Sequence, residues 1–195
     1  MRLLLFIIIG ILFLDAKAQE PTELILNAPR SWAEEIIEFP IHWAPNMDLK
    51  GHEELRFHPD WKYVEKPGFW SLALLWNVSA DSLFDKQKIV KNMEAYYQGL
   101  MQPNHWSKEF ADPNMLLIDN PLGDKEAVDF LGKIKVFDGF HTGEMMELYV
   151  KVSQHFCDRR GKVQVLFLLS PSPFEASIWQ ELDAVSFKED PCQLN

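Results

Sequence analysis

Two stretches of this chain are apolar at nearly every position: Phe69, Trp70, Leu72, Ala73, Leu74, Leu75, Trp76 and Val78, and later Val163, Val165, Leu166, Phe167, Leu168 and Leu169. Successive side chains of a strand point to opposite faces of its sheet, so a run that is apolar on both parities marks a central strand. The intervening runs 127–138 and 144–157 alternate instead. Val128, Phe130, Ile134 and Val136 interleave with Asp129, Lys133 and Lys135, and Met146, Leu148, Val150, Val152 and Phe156 interleave with Glu147, Lys151 and His155. These read as half-buried strands. Short links join the last three runs, Asp138-Gly139-Phe140-His141-Thr142-Gly143 and Asp158-Arg159-Arg160-Gly161-Lys162. Links of this length favour antiparallel hairpins, because a parallel return needs a long crossover. Shorter strands are expected at 34–39 and 53–58.

Two helices complete the pattern. Ser82-Leu83-Phe84-Asp85 has capping-box spacing, and beyond it Ile89, Val90, Met93, Tyr96, Tyr97 and Leu100 recur at three and four. Gly99 weakens the last turn and Pro103 ends the helix. Ser172-Pro173-Phe174-Glu175 predicts a second helical start, with Ile178, Leu182 and Val185 on its buried side and Pro191 closing it. Three strands, a helix, three strands and a helix define an α+β class, a mainly antiparallel sheet covered by two principal helices. Stretches 19–31, 40–52 and 101–125 lack periodicity and read as loops of a single domain, 19–195.

Residues 1–18 carry a different signal: Arg2, an apolar run from Leu3 to Leu14, then Ala16-Lys17-Ala18. A basic start, a short apolar segment and a small-x-small boundary define a cleavable export signal, with Gln19 as the mature terminus. The run is shorter than the roughly 20 apolar residues a membrane-spanning helix needs, and no later segment supplies a span. The expected location is therefore secreted or periplasmic. Loss of Arg2, Lys17 and Asp15 leaves 17 basic against 28 acidic residues, a net charge of −11. That balance argues against nucleic acid, whose phosphates require a basic footprint.

Motif-labelled chemistry is absent: the chain has no glycine-rich phosphate loop, no Gly-x-Ser-x-Gly elbow and no His-Glu-x-x-His pair. No cofactor is implied. His52, Glu54, His58 and Asp60 form the densest set of metal-ligating types, although structural zinc wants about four ligands in tetrahedral array and this spacing is irregular. His141, bracketed by glycines and close to Asp138, is the candidate acid or base of a small extracellular hydrolase. His155 and Cys157 share a strand face as a base beside a thiol, without a third group to orient them. Asn77-Val78-Ser79 meets the minimum glycosylation pattern. Trp43, Trp61 and Trp106 fall in loops or at element ends and are candidate ligand contacts, whereas Trp70 and Trp76 share the parity of a core strand and Trp179 borders a helix stripe. The expectation is a secreted or periplasmic binding or interaction protein using loop aromatics for an unknown ligand or partner. A hydrolase or a structural envelope protein is the alternative.

Export also permits a disulfide between Cys157 and Cys192, the two cysteines present. An eight-residue strand of roughly 26 Å followed by a fourteen-residue helix of roughly 21 Å returns the chain near its starting end. The difficulty is facial: the helix is expected to cover the side of Phe156, opposite Cys157, so the tail must wrap the sheet end.

Overall fold

The computed structural model describes residues 24–102, 109–121, 128–189 and 192. Residues 1–18, expected to be an export signal, and Trp106 lie outside them. The strands are β1 (Leu26–Asn27), β2 (Ala33–Phe39), β3 (Gly51–Phe57), β4 (Leu72–Ser79), β5 (Asn114–Asp119), β6 (Phe130–Phe137), β7 (Met145–Cys157), β8 (Lys162–Ser170) and β9 (Ser186–Phe187). The helices are α1 (Lys86–Met101) and α2 (Ile178–Leu182). Seven strands form one antiparallel sheet in the order β2-β3-β4-β8-β7-β6-β5, and β1 pairs with β9. The two runs that are apolar on both parities are β4 and β8, hydrogen-bonded neighbours with strands on either side.

Each parity feeds its own layer. Leu72, Leu74, Trp76 and Val78 of β4, Val163, Val165 and Phe167 of β8, and Leu148, Val150 and Val152 of β7 pack with α1 in the larger core. Ala73, Leu75, Leu166 and Leu168 face the other way, against Ile25, Leu26, Trp32, Ile178, Trp179 and Leu182. The fold is thus α+β, a large antiparallel sheet with a helix on each side. Among the described residues no helix is long and apolar enough to cross a membrane.

Several expectations need correction. The first helix is capped by Asp85, whose side chain accepts from the Lys88 amide at 2.7 Å, and not by Ser82. Gln154 of β7 explains the later start: it bonds both the amide and the carbonyl of Phe84, holding that residue outside the helix. The second helix is a short one. Residues after Ser172 form three-residue turns, Ala176 N to Pro173 O and Trp179 N to Ala176 O, and the Ser172 carbonyl is taken by the Trp179 indole at 2.9 Å. Stretch 101–125, expected to be loop, contains the edge strand β5.

Cys157 and Cys192 are disulfide-bonded, with Cα atoms 5.4 Å apart. The facial difficulty dissolves because α2 covers the side of Cys157 and not that of Phe156. Lys151 reaches Asp183 at 2.7 Å, His155 lies 6.2 Å from the Phe187 ring, and Phe156 packs in the α1 layer.

Candidate functional site

On the α1 face, at the β2-β3-β4 end of the sheet, lies a cavity of about 610 Å³. Its floor is built from side chains of one parity: Glu35 and Ile37 of β2, Leu55 and Phe57 of β3, Leu72 and Leu74 of β4. Register fixes them side by side, Glu35 opposite Leu55 and Leu55 opposite Leu74. Tyr96, Tyr97 and Leu100 of α1 close one wall, and loops supply the rest.

Three loops contribute rings, each held by its own bonds. The loop between β2 and β3 carries Trp43. It is pinned to α1 where the Asp48 amide donates to Asn92 Oδ1 at 2.9 Å, and the Trp43 ring meets Tyr96 edge-on at 5.2 Å. Gly99 of α1 permits this approach, since a Cβ there would stand 2.1 Å from the Trp43 carbonyl oxygen. The residue does more than weaken a helical turn.

The loop between β3 and β4 folds through successive turns, His58 O to Trp61 N, Asp60 O to Tyr63 N and Gly68 O to Ser71 N, and is closed by Trp70 N to Trp61 O at 3.0 Å. That closure brings the Trp61 and Trp70 rings within 5.3 Å. Trp70 holds φ at +51°, a left-handed conformation that costs an L-residue about 1–2 kcal/mol. It is the point where the loop turns into β4.

The third loop is organised by Asp138. This fully buried carboxylate accepts from the amides of Phe140, His141 and Thr142 and from the Thr142 hydroxyl. The turn sets Phe140 in the cavity wall and the His141 ring 4.7 Å from Trp61. Asp138 therefore meets His141 through the main chain. The imidazole belongs to the aromatic cluster, where the indole nitrogens of Trp61 and Trp70 and His141 Nε2 are buried without a hydrogen-bond partner.

Trp43 and Trp61, singled out by sequence, thus line one cavity. Trp70, Phe57 and Phe140 join them, and sequence reasoning missed these as site residues because an apolar residue at a strand end or in a tight hairpin link carries no mark separating a core from a cavity wall.

The four metal-ligating types are arranged otherwise. Glu54 is fully buried on the far face and is saturated by the amides of Ile25 and Leu26 and by the Arg56 guanidinium. Arg56 also pairs with Glu34 and occupies the same face between Glu54 and His58. His58 accepts from the Asp60 amide at Nδ1, which leaves Nε2 to donate to Glu181 at 3.1 Å. His52 is buried further along, its pKa lowered by loss of solvent. The four do not converge on a point. His155, Cys157 and Cys192 do converge, but as the disulfide with a histidine beside it, so the thiol nucleophile envisaged at Cys157 does not exist. Asn77 is buried within β4.

One ionisable group lies just beneath the cavity. Glu53 is fully buried on the α1 face and accepts from the Tyr96 hydroxyl at 3.0 Å. Burial pushes its pKa up to about 8, against the pull of the Tyr96 hydroxyl and the Trp76 indole, and the nearby Glu35 charge adds to the rise. No protein-family model, curated protein or solved structure matches this chain.

Proposed function

We propose that this is an exported binding protein that holds a small, largely apolar molecule in the aromatic cavity and releases it unchanged. The observation that carries the reading is the wall itself: rings from three loops and α1 surround about 610 Å³ over an aliphatic floor. That volume falls within the roughly 300–1,000 Å³ of cavities that take drug-sized ligands. Among the described liners the polar side chains other than aromatic ones are Ser31, Glu35 and Lys62, with His58, both of whose nitrogens are engaged within the protein. A sugar, with hydroxyls all round, would leave most of them unpaired here, whereas a flat apolar body loses nothing by entering.

The test is titration of the mature protein with N-phenyl-1-naphthylamine, an uncharged apolar fluorophore, following its emission on excitation of tryptophan. Saturable binding is expected, weakened about tenfold in W61A, as truncation of a central aromatic contact implies. A parallel variant, Ile118→Ser, alters the exposed apolar outer face of β5. Binding lost in I118S but kept in a folded W61A would refute the cavity assignment.

A further inference from the structure

Resting on that reading, we infer that the ligand carries a positively charged amine, received at the cavity mouth by Glu35. Among the described residues that line the cavity, Glu35 is the only acidic side chain, and among the described residues it has no hydrogen-bond or ion-pair partner. Its place in the wall is not accidental to a loop conformation. It sits in β2 opposite Leu55 and two residues from Ile37, both liners, so the sheet register holds the carboxylate at the open edge of the apolar floor.

The rings favour the same sign. Aromatic faces carry negative potential and attract a cation within about 6 Å of their centroids, and Trp43, Phe57, Trp61 and Phe140 border this cavity. A net charge of −11 on the mature chain raises the local concentration of cations over anions at any exposed site. The one opposing group is Lys62. Lys62 is exposed on the outer loop, and its ammonium lies 5.3 Å from the ring of Tyr63, a residue that does not line the cavity. Such a side chain lends its methylenes to a wall and leaves its charge in water. The ligand class is therefore an aryl or alkyl amine: an apolar body on the floor and an ammonium at the rim.

The experiment uses three ligands of one shape, 2-naphthylmethylamine, 2-naphthalenemethanol and 2-naphthoate, each displacing N-phenyl-1-naphthylamine from the mature protein at pH 7. The amine is expected to compete on the order of tenfold better than the alcohol, and the carboxylate to compete worst. In E35Q the amine's advantage over the alcohol should vanish. Glu35 is exposed on an edge strand, so the variant is expected to fold. Equal binding of amine and alcohol, an advantage that persists in E35Q, or preference for the carboxylate each overturn the inference and leave the cavity reading standing. Failure of the fluorophore itself to bind overturns the cavity reading instead.

Discussion

Glu53 and Glu54 are consecutive on β3 and fully buried, yet they face opposite layers and meet opposite fates. Glu54 is surrounded by donors and ties the segment before β1 to the sheet. Glu53 accepts from the Tyr96 hydroxyl and has a pKa of about 8, so at neutral pH it is largely a neutral acid. An acid whose pKa is raised by folding binds its proton more tightly in the native state. It therefore supports the fold fully below about pH 4.5 and withdraws that support as pH rises through 8, at roughly 1.4 kcal/mol per pH unit between those limits. Glu53→Gln keeps the acceptor for Tyr96 and removes the titration. Urea midpoints should thus be similar for the two proteins at pH 4.5, with E53Q the more stable at pH 8.5. Comparing them at each pH cancels every other titrating group. Parallel stability profiles would show that Glu53 does not carry the buried proton assigned to it. The sequence shows two adjacent glutamates in a strand, but not which layer would cover each, so their different chemistry could not be read before the layers were known.

At the scale of elements, six of the nine described strands and the hairpins β6–β7 and β7–β8 were legible, because alternation and two-parity runs follow directly from the pleat. β4, β6, β7 and β8 fall within a few residues of the expected runs. What failed was local capping. Ser82 and Ser172 match a helix-start pattern, but Gln154 claims the Phe84 backbone and the Trp179 indole claims the Ser172 carbonyl, both tertiary bonds that no local pattern contains. β5 escaped notice because its outer face exposes Leu116 and Ile118 beside a buried Met115 and Leu117, an edge strand without polar alternation. Gly99 was legible as a weak helix former and misread in consequence. In an exposed helix Gly→Ala stabilises by about 1 kcal/mol. Here the new Cβ meets the backbone of Trp43 and Ala44, which cannot swing aside like a side-chain tip. Gly99→Ala is expected to destabilise by about 1–3 kcal/mol in urea unfolding and to weaken fluorophore binding by displacing Trp43. A gain in stability would contradict the close packing.

For the whole molecule, the two covers are secured differently. The α1 layer holds the larger core, whereas the opposite layer rests on short elements, β1, α2 and β9, and on one covalent link. A disulfide spanning 35 residues restricts the unfolded chain by roughly 4 kcal/mol in the loop-entropy account. The double variant Cys157→Ser, Cys192→Ser should lose about 2–4 kcal/mol by urea unfolding. It should still bind the fluorophore, because the cavity lies on the other side of the sheet. Unchanged stability, or loss of binding in a folded double variant, would contradict this division of the molecule. The cavity itself was half legible. Trp43 and Trp61 stood out as aromatics in loops, but the cavity wall depends on Asn92 and Gly99 fixing the Trp43 loop and on Asp138 shaping the turn that sets Phe140 and His141 beside Trp61. Those residues look ordinary in sequence.

The central claim, that a ligand enters among these rings, is tested most directly by fluorine NMR of residues 19–195 labelled with 5-fluorotryptophan and titrated with 2-naphthylmethylamine. Resonances assigned by single substitutions to Trp43, Trp61 and Trp70 should shift with one saturating curve, while Trp179, across the sheet, stays fixed. A saturating ligand that moves Trp179 and leaves those three unmoved would contradict it.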